Sequence, residues 1–408
     1  MADASGATHV TDPASQADPA GAAEIQRLVG RSGDLKQDLV AFAGSKRFDR
    51  YRETELRKAA EDGTPPPPGS ERWVQAMDDF IMTFRFPDGD GVIDRYLSGP
   101  DGKNLRKADR RLLESWREPV DGIFELQDKG SDQILLFNLI DELEYRTYAS
   151  AGFARLTAEP GSFVLARLVQ LKPGAWVLSG SMSQFPREHV KVVAQLALEW
   201  VQTRPRLAFR NPEKRERGWE MMREDRDEFA EFFGSDQVVI PADEALKMIN
   251  DYYRDHQEKA LAKSGKQAAD APADRPYFTL PEGALAGLET VGVVYDETDG
   301  MSLLPDFGLL EELFADPSLA GDKRYADVLN AYLKSDSIYP GPLRRLAAAH
   351  PDTVDEVYRT VLKKPAFTWE KNGELLLNKR KPWYFQETRY PKSTPVSDYL
   401  VDLIAAES

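Results

Sequence analysis

Apolar residues recur along this chain in two rhythms. Between residues 71 and 86, Trp73, Met77, Phe80, Ile81 and Phe84 fall at steps of three and four, which lines one face of a helix. Leu105, Leu112, Leu113 and Trp116 share a side over 105–116, and Val190, Val193, Leu196, Ala197 and Trp200 do so over 187–203. Two further helices are predicted over 22–62, one from Ile25, Leu28 and Val29 and one from Leu35, Leu39, Val40 and Phe42. Ser32-Gly33-Asp34 between them reads as a stop followed by a new N-cap.

Residues 119–186 change the rhythm. Runs at 122–127, 133–138, 143–149, 162–171 and 175–179 are short and separated by turn residues, Pro173-Gly174 among them. Four or five antiparallel strands in so short a span predict a small curled sheet or barrel.

Helical spacing then returns. Residues 211–233 are densely charged but keep a seam of Trp219, Met222, Phe229 and Phe233, and a strand at 238–240 precedes a helix over 243–263. A hairpin is predicted from 291–295 and 301–304 about a turn at 296–300, followed by helices at 306–315, 322–334, 341–349 and 353–362. Asn372-Gly373 between apolar runs predicts a second hairpin over 367–377, and a short helix closes the chain at 396–405.

The pattern as a whole predicts an α+β fold, mainly helical. A small antiparallel β module, barrel-like or a curled sheet, is flanked by helices, and a C-terminal helical unit carries two hairpins. The expected organisation is a disordered tail at 1–21, a helical segment at 22–63, a proline linker at 64–70 and a helical unit at 71–263 containing the β module at about 119–186. A linker at 264–275 then leads to a C-terminal α+β unit at 276–408.

Composition narrows the chemistry. A net charge of −15 over 408 residues argues against a surface built throughout for nucleic acid or anionic membrane. The absence of cysteine removes disulfides, thiolate metal sites and cysteine nucleophiles, and fits a reducing compartment. There is no uninterrupted apolar run long enough to span a bilayer and no secretory leader, so the expected setting is the cytoplasm, without membrane contact.

Familiar site motifs are missing. The histidines His9, His189, His256 and His350 show no i,i+3 or i,i+4 pairing, so no metal-binding helix is predicted. Gly99 to Asn104 lacks the first glycine and the hydroxyl of a phosphate loop, and Ser179-Gly180-Ser181-Met182-Ser183 lacks the bracketing glycines of a nucleophile elbow. Asp88, Asp90 and Asp94 gather oxygens near a turn, but the spacing fails as a calcium loop and reads better as a turn and a helix start. Asp141, Glu142 and Glu144 read as solvated charge at a bend between strands. No cofactor is predicted.

One stretch runs against the global charge. Residues 363–392 interleave cations with aromatics, and Lys371, Lys379, Arg380, Lys381, Trp369 and Trp383 form a candidate surface for phosphate contact and base stacking. The competing reading places those aromatics in the core of the C-terminal unit. The leading functional expectation is a non-enzymatic interaction or adaptor protein with an unidentified protein partner. The alternatives are a nucleic-acid-associated factor using 363–392 and a hydrolase with a carboxylate site.

Overall fold

The strands between residues 119 and 186 close into a barrel. The computed structural model describes residues 19–60, 63–153, 156–263, 276–386 and 388–405. Helix outweighs strand, 55% to 17%, and a second, smaller antiparallel sheet lies downstream, as the α+β, mainly helical pattern predicts. The chain divides into two compact units, residues 1–211 with 396–408 and residues 212–395.

The first unit begins with α1 (Pro19–Ala43), α2 (Asp49–Lys58), α3 (Glu71–Met82), α4 (Val92–Ser98), α5 (Pro100–Lys103) and α6 (Lys107–Ser115). The two helices expected before residue 62 meet a correction, because α1 runs unbroken through Ser32-Gly33-Asp34. The Ser32 hydroxyl donates back to the Val29 carbonyl at 2.7 Å, so it does not cap a new helix. The proline segment at 64–70 joins α2 to α3 within this unit, with Pro66 buried, and Ser70 caps α3 by accepting from the Trp73 amide at 3.3 Å.

The barrel follows, with β1 (Val120–Lys129), β2 (Gln133–Asn138), β3 (Glu144–Tyr148), β4 (Phe163–Lys172) and β5 (Ala175–Phe185). Its order is β1-β2-β3-β5-β4, closed by the β1–β4 ladder, and β3 meets β5 in parallel. Alternation sets its two faces. Ile134 and Leu136 point inward to Val120, Phe124, Leu126, Tyr145, Val164 and Leu168, while Gln133, Leu135 and Phe137 point out. A barrel this narrow leaves no room at Gly122, where a Cβ would stand 2.5 Å from the Phe124 ring. Helices α1, α3 and α6 pack on the outer side of β4 and β5 over Val169, Leu171 and Val177, and α7 (Val190–Thr203) and α8 (Pro205–Ala208) cover another side near Ile123 and Phe163.

The second unit holds α9 (Pro212–Phe233), β6 (Gln237–Pro241), α10 (Ala242–Lys263), β7 (Thr290–Asp296), β8 (Gly300–Pro305), α11 (Phe307–Ala315), α12 (Lys323–Lys334), α13 (Gly341–Ala349), α14 (Val354–Leu362), α15 (Trp369–Arg380) and α16 (Pro382–Gln386). Its sheet has the order β6-β7-β8, all antiparallel. The hairpin expected about 296–300 forms, with Asp296 accepting from the Thr298 amide at 2.8 Å and Gly300 at positive φ.

The hairpin expected over 367–377 does not form, because the segment folds as α15. Asn372 accepts from the Thr368 amide at 3.0 Å and Asp355 accepts from the Trp369 amide at 2.7 Å, so the first turn finds partners as a helix. Gly373 lies beneath the Trp369 indole instead of turning the chain.

The last helix, α17 (Asp398–Ala405), belongs to the first unit and packs with α7 through Leu400. Of the tail expected at 1–21, residues 19–21 belong to α1 and the rest lies outside the described residues, as does the linker expected at 264–275. Among the described residues, no helix is long and apolar enough to cross a membrane.

Candidate functional site

Arg167 interrupts the apolar run of β4, FVLARLVQLK, and lines a cavity of the first unit. Register places it in one row of the sheet, with Asp121 of β1 on one side and Ser179 of β5 on the other. The β4–β5 pairing slips between Leu165 and Arg167, so β5 carries extra residues there, including Gly180 at φ +75. A Cβ at Gly180 would stand 3.1 Å from the Asp78 carboxyl carbon, so glycine lets α3 approach the sheet closely.

Helix α3 lays two adjacent carboxylates over this row. Arg167 donates through Nη1 to Asp78 at 2.8 Å, contacts Asp79 through Nη2 at 2.9 Å, and grips Asp121 through Nε and Nη2 at 2.6 and 3.1 Å. The Ser179 hydroxyl donates to Asp78 at 2.7 Å. From α1, Lys36 pairs with Asp78 and donates to Ser179 at 3.0 Å. Three carboxylates thus meet two cations, with Asp78 and Arg167 almost fully buried.

Burial and charge compete in this cluster. Burial pushes the Asp78 carboxyl up, but Lys36 and Arg167 outweigh it and hold Asp78 below the ordinary aspartate range. Burial also pushes Asp79 up, and there it prevails over Arg167, so Asp79 sits above that range. Burial pulls Lys36 down against the attraction of Asp78. For Arg167 burial acts downward, yet the hydrogen bonds it donates to Asp121 and the charges of Asp121, Asp78 and Asp79 raise it and keep it charged.

The cavity above this cluster measures about 680 Å³. Asp79, Asp121 and Arg167 line it together with Ser181, Ser183 and Trp200. Ser181 donates to Gln75 at 2.8 Å, and the Arg204 guanidinium lies 4.1 Å from the Trp200 ring centre. The cavity therefore offers fixed carboxylate oxygens, two hydroxyls and an aromatic wall.

Sequence reasoning passed over this site. The signals were present as charges inside apolar patterns: Arg167 within β4, Asp78 on the core side of α3, and Lys36 between Leu35 and Leu39. The serines around Gly180 match no nucleophile motif, and Ser181 and Ser183 line the cavity.

The residues that the sequence did single out are dispersed. Lys371, Lys379 and Arg380 are exposed on α15. Lys381 is wholly buried and donates to the carbonyls of Tyr332 and Ser335 at 2.7 and 2.8 Å, at the C-terminal end of α12. Trp369 stacks on Tyr358 with ring centres 5.0 Å apart, and Trp383 is half-buried with its ring edge-on to Tyr384.

Asp88, Asp90 and Asp94 do not converge as a ligand set. Asp88 accepts from the Asp90 amide and from Arg95, while Asp94 accepts from the Gly91 amide at the start of α4 and pairs with Arg117. Among the described residues, no group of three or more histidine or acidic side chains is placed to hold a metal.

Asp141 corrects the expectation of solvated charge at the bend. It is fully buried and accepts from the Tyr145 hydroxyl at 2.6 Å and the Leu143 amide at 3.0 Å, so it ties β3 to the turn before it. No protein-family model, curated protein or solved structure matches the chain.

Proposed function

We propose that this chain is a non-enzymatic binding protein of the cytoplasm, and that its first unit holds a small polyhydroxylated ligand in the Arg167 cavity. One observation carries the reading: Arg167 pins Asp79 and Asp121 in a cavity that Trp200 also lines. Ligand hydroxyls donate to carboxylates that are already held in place, so little ordering accompanies binding. The apolar C–H face of a sugar ring or polyol suits the indole. Both carboxylates are already committed to the guanidinium, which favours holding a ligand over transforming it. Within this reading the chain acts as an adaptor that couples ligand occupancy to a protein partner.

Calorimetric titration with a panel of neutral mono- and disaccharides and linear polyols tests it. Binding by at least one class, weakened about tenfold or more by Trp200→Ala, is expected. If no compound binds, or if Trp200→Ala binds as the parent does, the reading fails.

One observation favours a second reading, a carboxylate hydrolase at the same place. Burial raises Asp79 within a cavity that also holds Asp121, which is how a general acid is prepared. Release of nitrophenol from aryl glycosides, abolished by Asp79→Asn, would establish that activity. Absence of turnover alongside saccharide binding leaves the binding reading in place.

A further inference from the structure

The second unit carries a separate surface groove of about 540 Å³ between the C-terminal end of α14 and α15. Its floor is apolar. Phe367 is buried beneath it, Leu376 is half-buried, and Leu375 stands 69% exposed on its wall, the most exposed of the large apolar side chains described. Lysines line it as well: Lys363 and Lys364 follow α14, and Lys379 lies in the last turn of α15. All three are exposed, and none forms an ion pair among the described residues. Glu374, the acidic residue beside Leu375, is held bidentately by Arg344 at 2.7 Å through each oxygen, so it does not neutralise the lysines.

Exposed leucine flanked by unpaired lysines, on a chain of net charge −15, is a local reversal of the molecule's character. Lys371 and Arg380 extend the same sign along α15. The aromatic rings nearby are not arranged as stacking platforms, because Trp369 is stacked on Tyr358 and Phe367 is buried. A partner here therefore meets aliphatic surface and cations, with no open ring for a base.

We propose that this groove docks an acidic amphipathic peptide segment of a partner protein, with aliphatic or aromatic anchors seated between Leu375 and Leu376 and carboxylates meeting Lys363, Lys364 and Lys379. The anchors supply the affinity and the lysines supply selection and steering.

Fluorescence anisotropy on the full chain tests it with three labelled probes. One is a 16-residue peptide with Leu and Phe at helical spacing and Glu elsewhere, the second replaces every Glu by Lys, and the third is single-stranded oligo-dT. The acidic peptide is expected to bind, the basic peptide at least about tenfold more weakly, and added salt is expected to weaken the acidic complex several-fold. Leu375→Asp and the pair Lys364→Glu with Lys379→Glu should each reduce binding about tenfold with unchanged circular dichroism and melting temperature, since these side chains are exposed. Equal binding of both peptides, insensitivity to these variants, or binding of oligo-dT in preference to the acidic peptide would overturn the proposal.

Discussion

Arg167 and Asp121 face each other in register on neighbouring strands, and Arg167 Nε donates to Asp121 at 2.6 Å. The same guanidinium reaches Asp78 and Asp79 on α3. A single side chain thus fastens helix to barrel and sets the floor of the cavity, so stability and binding are coupled at one residue.

Arg167→Met should expose that coupling. It leaves Asp78, Asp79 and Asp121 facing Lys36 alone, and removing one partner from a buried charge cluster costs about 3–5 kcal/mol. Urea denaturation followed by circular dichroism should show a loss of that size. A loss under about 1 kcal/mol would mean that the cluster is solvated and contributes little.

Asp141→Asn should change how stability depends on pH. Burial pushes Asp141 up from 3.8 to about 6, against the Tyr145 hydroxyl and the Leu143 amide. Between those values the folded chain keeps a proton that the unfolded chain has released, so this group's contribution is full below pH 3.8 and is lost as pH rises through about 6. The parent should therefore lose about 3 kcal/mol relative to the asparagine variant across that window. Parallel denaturation curves at several pH values check it, and an unchanged difference between the two proteins would refute it.

Lys381→Met addresses a buried amine of the second unit. Burial pulls Lys381 from 10.5 down to about 8, with Asp336 opposing the shift. Between those values the unfolded chain holds the proton that the folded chain has released, so Lys381 makes stability rise with pH over that window. The methionine variant should lack that rise. At neutral pH it should be the less stable protein by about 1–3 kcal/mol, because the Tyr332 and Ser335 carbonyls lose their donor. Melting curves from pH 7 to 10 on both proteins provide the comparison.

Gly373→Ala sets propensity against packing. Alanine in a helix interior gains about 1 kcal/mol over glycine. Here its Cβ would lie 2.7 Å from the Trp369 indole, which is already stacked on Tyr358. Overpacking of about 1–3 kcal/mol outweighs the gain, so the melting temperature should fall. A rise would show that the indole is free to move aside.

Much of this architecture is legible from local pattern. Short apolar runs between turn residues place β1 to β5, and three-four spacing places α3, α6 and α7, because each element must bury apolar side chains wherever it packs. Composition is equally local, so the lack of cysteine and the acidic balance hold whatever the fold. The rest depends on what meets what. Ser32-Gly33-Asp34 and Asn372-Gly373 carry turn signals, the second a strong one, and helical partners for Ser32, Asn372 and Trp369 outweigh them. Arg167 is one charge in an apolar strand until register sets Asp121 beside it and α3 brings Asp78 and Asp79 across. Lys381 and Arg380 are neighbours of like charge, yet one is buried on α12 carbonyls and the other is exposed. Spacing along a chain records which face a residue occupies. Whether a charge on that face meets water, a carboxylate or a carbonyl is decided by residues far away in sequence, and those encounters form the Arg167 cavity.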